Sequence, residues 1–95
     1  MNGIDLVHKI HFRFGTNDVF EIAEILDISI IYEKWFPVTL GEFDRKKKRI
    51  TVNQNAAIPF EKIIAHELGH YFAQDLEIID EEKFCDEFAE NLLNL

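Results

Sequence analysis

Cysteine occurs once in the 95 residues, at Cys85, so no internal disulfide can brace this chain. Long apolar runs are missing too: every window is too polar for a membrane span. The start, Met1-Asn2-Gly3-Ile4-Asp5-Leu6, has no basic segment followed by an apolar one, which argues against a signal peptide. These absences predict a cytoplasmic protein. No internal repeat, low-complexity stretch or linker divides the sequence. Its length predicts one compact domain over residues 1–95. Positive charge is also scarce, with 10 bases against 18 acids and a net charge of −8. The deficit is uneven: residues 75–95 hold eight acids and one lysine, while residues 1–74 hold ten acids and nine bases. Such a balance argues against direct nucleic-acid binding as the main activity.

What is present is apolar material for a core, 47% hydrophobic with nine Phe, arranged in readable periods. Leu6, Ile10 and Phe14 fall four apart and predict a helix over 5–14, stopped by Gly15. Thr16 or Asn17 is the expected cap of a second helix over 18–27. The β-branched run 28–32 predicts a strand, and 38–43 and 49–53 predict two more, joined as a hairpin by a turn over 44–48. A third helix follows, with Asn55 or Ala57 at its start and Pro59 in its first turn. Asp80 is the expected N-cap of the last helix, whose apolar stripe is Phe84, Cys85, Phe88, Ala89, Leu92 and Leu93. The order α-α-β-β-β-α-α segregates helices from strands. It predicts an α+β fold with a small antiparallel or mixed sheet.

The third helix carries His66-Glu67-Leu68-Gly69-His70, an H-E-x-x-H motif. Residues four apart on a helix share a face, about 6 Å apart along the axis. His66 and His70 can therefore offer two imidazoles to one Zn²⁺. Glu67, one step round, can take a proton from water there without being a ligand. A catalytic zinc site needs a third protein ligand and an open position. On a helical wheel taken at 100° per residue from Phe84, the apolar stripe of the last helix centres near about 90°. Glu81 falls near about 60° and Glu82 near about 160°, so both are expected to face inward and geometry leaves them nearly tied.

Three blocks carry a resemblance. They are Ile50-Thr51-Val52-Asn53, then Ile64-Ala65-His66-Glu67-Leu68-Gly69-His70-Tyr71, then Glu82-Lys83-Phe84-Cys85-Asp86-Glu87-Phe88-Ala89 running on to Leu93. Together they resemble the ImmA/IrrE family of metallopeptidases. That family's pattern is a strand ending in Asn, A-H-E-L-G-H-[YF], and E-x-x-[AC]-[ND]-x-F-A-x-x-L-L. The likeness spans about residues 16–93. It implies a small zincin-like domain with a short sheet packed on the H-E-x-x-H helix. It also implies Glu82 as third metal ligand beside His66 and His70, Glu67 as proton carrier, and Zn²⁺ as cofactor. The expected activity is that of a zinc-dependent endopeptidase. The implied partner is a protein substrate, a helix-turn-helix repressor of a phage, mobile element or stress regulon. The competing readings are a non-cleaving antirepressor that keeps the fold, and a structural zinc domain closed by a fourth ligand.

Other signals have ordinary explanations. The run Arg45-Lys46-Lys47-Lys48-Arg49 reads as a charged hairpin tip that keeps an edge from pairing. His8 and His11 read as surface residues, Tyr71 as packing on the helix face, and Cys85 as a small core residue. Trp35-Phe36-Pro37 reads as a loop folding aromatics onto the core. Asp86, one turn after Glu82, can hydrogen-bond a ligand histidine or lie on the helix surface. The strand 38–43 or 49–53 is expected to line the cleft.

Overall fold

A computed structural model describes residues 3–35 and 39–95. Its elements run α1 (Gly3–Phe14), α2 (Val19–Ile25), β1 (Ser29–Glu33), β2 (Gly41–Asp44), β3 (Arg49–Asn53), α3 (Phe60–Ala73) and α4 (Glu81–Leu93). Among these residues the fold is a small α+β arrangement of four helices and one mixed three-stranded sheet. Phe36, Pro37 and Val38, part of the aromatic loop and of the predicted second strand, lie outside the described residues. Among those described, no helix is long and apolar enough to cross a membrane.

Local chemistry sets the helix ends. α1 stops where Gly15 takes φ +70°, a conformation that costs glycine little. α2 is capped by Asp18, not by Thr16 or Asn17: its carboxylate accepts from the N–H groups of Phe20 and Glu21. Thr16 instead accepts from the Asp18 N–H through Oγ1. Asn17 reaches across to the Leu92 carbonyl at 3.2 Å and ties the start of α2 to the end of α4. Asp80 caps α4 as expected, accepting from the Lys83 N–H. Pro59 stands at the cap position of α3, one residue before the first turn, and makes no side-chain capping bond.

The sheet order is β1-β3-β2. β2 and β3 form the antiparallel hairpin, with Gly41 opposite Val52 and Asp44 opposite Arg49. β1 runs parallel to β3, with Ser29 opposite Arg49 and Glu33 opposite Asn53. β3 is therefore central, and its residues Ile50 to Asn53 are all buried. α3 lies at the middle of the molecule, in contact with β2, β3, α2 and α4, while α4 also packs on α1. The core joins Ile50 and Val52 of the sheet to Ile63, Ile64 and Leu68 of α3 and to Phe84, Phe88 and Leu92 of α4. Phe72 and Phe88, with ring centres 5.7 Å apart, close the helix pair at one end.

Two close approaches position α3. A side chain at Gly41 would meet the Ile63 methyl at 2.6 Å and the Glu67 Cγ at 3.4 Å, so β2 lies against α3 only because it has none there. A side chain at Gly69 would meet Cys85 at its Sγ, Cα and Cβ, at 3.0 to 3.1 Å, so α3 and α4 touch nearly backbone to backbone.

Candidate metal centre

The α3–α4 contact at Gly69 and Cys85 brings the first two turns of α4 over the histidines. Nε2 of His66 lies 3.1 Å from Oε2 of Glu82, and Nε2 of His70 lies 2.9 Å from Oε1 of the same carboxylate. Each ring is held from behind by another acid. Nδ1 of His66 is 2.9 Å from Asp86, and Nδ1 of His70 is 2.5 Å from Glu81. An imidazole that donates from Nδ1 presents a lone pair at Nε2. Two lone pairs facing one carboxylate repel each other unless protons or a cation stand between them. The donor set thus fits a divalent ion.

This geometry separates the two nearly tied carboxylates. Glu82 faces both Nε2 atoms, whereas Glu81 contacts only the far nitrogen of His70. Neither points into the core, contrary to the helical-wheel expectation. The Glu82 side chain is 70% exposed and that of Glu81 37% exposed. They stand in the first turn of α4, at the rim of the cleft, where the apolar stripe has only begun.

Cys85 competes for the third position. Its sulfur and a nitrogen from each histidine lie within 4.8 Å of one another. The thiol is sealed in the core against Gly69, however. Burial, aided by Glu81 and Glu82, pushes its pKa up to about 12 in the metal-free chain. The carboxylate of Glu82 faces both Nε2 atoms and sits at the cleft rim. Two candidate third donors thus stand beside the histidines, Glu82 at the cleft rim and Cys85 in the core.

Glu67 is buried at 7% exposure yet lines the cleft. Burial raises its pKa above the ordinary glutamate value; His66 and His70 oppose the shift, while Glu82 and Glu42 add to it. A carboxylate so placed is suited to accept and return a proton. The cleft has a volume of about 650 Å³. Thr39, Leu40 and Gly41 form one wall and Glu82, Asp86 and Glu90 the acidic opposite rim. Of the two strands expected to line it, β3 is central and does not; the segment entering β2, the sheet edge, does. Tyr71 packs edge-on against Phe43, ring centres 5.9 Å apart, as its packing role requires.

Sequence reasoning missed the support of this wall. Asn53 is fully buried. Its Nδ2 donates to the Thr39 carbonyl at 2.8 Å, and its Oδ1 accepts from the N–H groups of Trp35 and Asn55. Its own backbone N–H donates to Leu40. The asparagine that ends β3 therefore fixes the chain entering β2. The signal was present, since a strand-ending Asn belongs to the quoted pattern, but its role depends on contacts 14 and 18 residues away.

Comparison with protein families matches residues 23–92 to Peptidase_M78, the IrrE N-terminal-like domain. No curated protein and no solved structure matches.

Proposed function

Because the chain belongs to the IrrE N-terminal-like family of peptidases, Peptidase_M78, we propose that it is a zinc-dependent endopeptidase whose substrate is a helix-turn-helix repressor. The family carries the metallopeptidase character. The observation that carries the finer reading is the convergence of both Nε2 atoms on Glu82, with buried Glu67 in the same cleft. In this reading His66, His70 and Glu82 hold the ion. When bound, Zn²⁺ supplies Lewis acidity, lowering the pKa of a water and polarising a carbonyl.

The chain's own residues do the rest. An extended peptide adds to the edge of β2, the outer strand among the described residues, through backbone hydrogen bonds that align it across the cleft. Glu67 accepts the proton of the attacking water and delivers it to the leaving amine. Asp86 keeps the His66 imidazole in the orientation and tautomer that ligation needs. Glu67 is largely buried and packs close to Gly41 while still lining the cleft. The acidic rim and the net charge of −8 support a basic partner, as a DNA-binding repressor is, over nucleic acid itself. A cytoplasmic setting accords with such a target.

The test is to express the chain beside a helix-turn-helix repressor, with Glu67→Gln as the comparison. Wild type is expected to yield repressor fragments and relief of repression. Glu67→Gln is expected to bind about one zinc per chain and yield no fragments, because the amide cannot take up the proton. Relief of repression by both forms without fragments overturns the peptidase reading in favour of sequestration. Full metal loading in both His66→Ala and His70→Ala would put the metal elsewhere.

A further inference from the structure

We propose that Glu81 is a positioning residue for His70, and that Arg45 at the hairpin tip holds it in that role. The proposal rests on the reading of His66, His70 and Glu82 as metal ligands. Glu81 and Glu82 are neighbours at the start of α4, yet they address opposite ends of one ring: Glu82 meets Nε2 of His70 and Glu81 meets Nδ1. An imidazole has two nitrogens, and one can offer a lone pair to an ion only when the other carries the proton. An acceptor fixed at Nδ1 selects that tautomer and sets the ring plane.

Glu81 differs from Asp86, which makes the same contact to His66. Its side chain is half as exposed, 37% against 75%, and a cation from another element reaches it. The Arg45 guanidinium lies 3.8 Å from the oxygen that contacts His70. The turn places Arg45 there: Asp44 accepts the N–H groups of Lys46 and Lys47, which curls the tip with Arg45 at its first position. Arg45, Phe43 and His70 share a second hollow, on the hairpin side of Glu67. A partly exposed pair at this distance contributes little to stability. What it does is restrict the Glu81 side chain, so that the carboxylate turns to the ring and not to solvent. The five-residue basic run thus divides by task, with Arg45 facing the metal centre.

Zinc affinity of the full chain, measured by competition with a chromophoric chelator, tests this. Glu81→Ala is expected to bind zinc roughly 10–100-fold more weakly, the usual effect of losing an outer hydrogen-bond partner. Glu81→Gln keeps a carbonyl acceptor for the Nδ1 proton and is expected to recover most of that loss. Arg45→Ala is expected to weaken binding by about 2–5-fold, in line with an exposed pair, and to have no effect in a Glu81→Ala background. In long-range ¹H–¹⁵N spectra of the zinc-loaded protein, Glu81→Ala is expected to move the His70 ring signals and leave those of His66 in place. Thermal unfolding without metal checks that each variant folds. Wild-type affinity in Glu81→Ala, or equal losses from Arg45→Ala in both backgrounds, overturns the proposal alone. A wild-type chain that takes up no zinc overturns the ligand reading and this proposal with it.

Discussion

The two helices that make the candidate metal centre are built in opposite ways. α3 is embedded: the sheet covers one side, α4 another and α2 a third, and seven of its residues are buried, including Glu67 and Gly69. α4 is a surface helix with one apolar stripe and an acidic outer face. The histidines therefore stand on a scaffold whose position is set by core packing. The carboxylates stand on an exposed first turn, free to adjust around an ion. Negative charge is well placed there, because acids near a helix N-terminus are stabilised by the helix dipole. The same residues that solvate the molecule can thus also serve as ligands and as the partners that orient ligands. The difference teaches that burial and chemistry are divided between the helices. The core fixes the imidazoles, and one backbone contact, Gly69 to Cys85, fixes the distance to the carboxylates.

That division can be broken at several points. The largest effect is expected from Glu82→Gln, which removes the carboxylate that both Nε2 atoms face. Zinc affinity measured by chelator competition should fall by more than the 10–100-fold typical of an outer partner, and by far more than in Glu81→Gln. The reverse ranking would exchange the roles of the two acids. Gly69→Val comes next. The added atoms cannot fit against Cys85 without moving α4, so denaturant unfolding should report a loss of about 1–3 kcal/mol. Zinc affinity should fall with it, because the rim carboxylates move away from the histidines. A stable variant with normal zinc binding would mean that α4 is not positioned by this contact.

Cys85→Ala sharpens the same comparison at smaller scale. It removes a core sulfur and should cost about 1 kcal/mol of stability, while zinc stoichiometry stays unchanged. Loss of the metal in this variant would make the thiol, not Glu82, the third donor. The smallest effect is expected at the far end of the hairpin. The Lys47 backbone N–H, aided by that of Lys46, holds the Asp44 carboxyl below its ordinary value of 3.8. A lowered folded pKa contributes stability that is present above 3.8 and lost as pH falls through the lower folded value. Amide exchange at Lys46 and Lys47 should therefore quicken below that pH in the wild type. Asp44→Asn, which keeps an acceptor oxygen but cannot titrate there, should show no such step.

Much of the fold was legible because its signals are local. Apolar residues at helical spacing placed α1, α3 and α4 within a few residues, and Asp80 marked the start of α4. Charges around a turn placed the β2–β3 hairpin. The expected cap of α2 was wrong by one or two residues because Thr16, Asn17 and Asp18 are all competent caps. Which one serves depends on the partners the other two find, and Asn17 finds Leu92 at the far end of the chain. The strand order was not legible either. β1 pairs with β3 and not with β2, its neighbour in sequence, and no local pattern encodes a parallel pairing across 20 residues.

The sequence by itself determined the pair of imidazoles, since His66 and His70 must share a face of any helix that contains them, and Glu67 must lie one step round it. It also determined that an acidic, amphipathic helix would follow. Only the tertiary structure decided which acid meets which nitrogen. Glu81 and Glu82 are chemically identical and adjacent. Their difference arises from the crossing of two helices at a glycine, which puts one carboxylate before both Nε2 atoms and the other behind a single ring. The link from Arg45 to that ring is tertiary for the same reason: it joins residues 36 positions apart through a turn and a helix end that meet only in the folded chain.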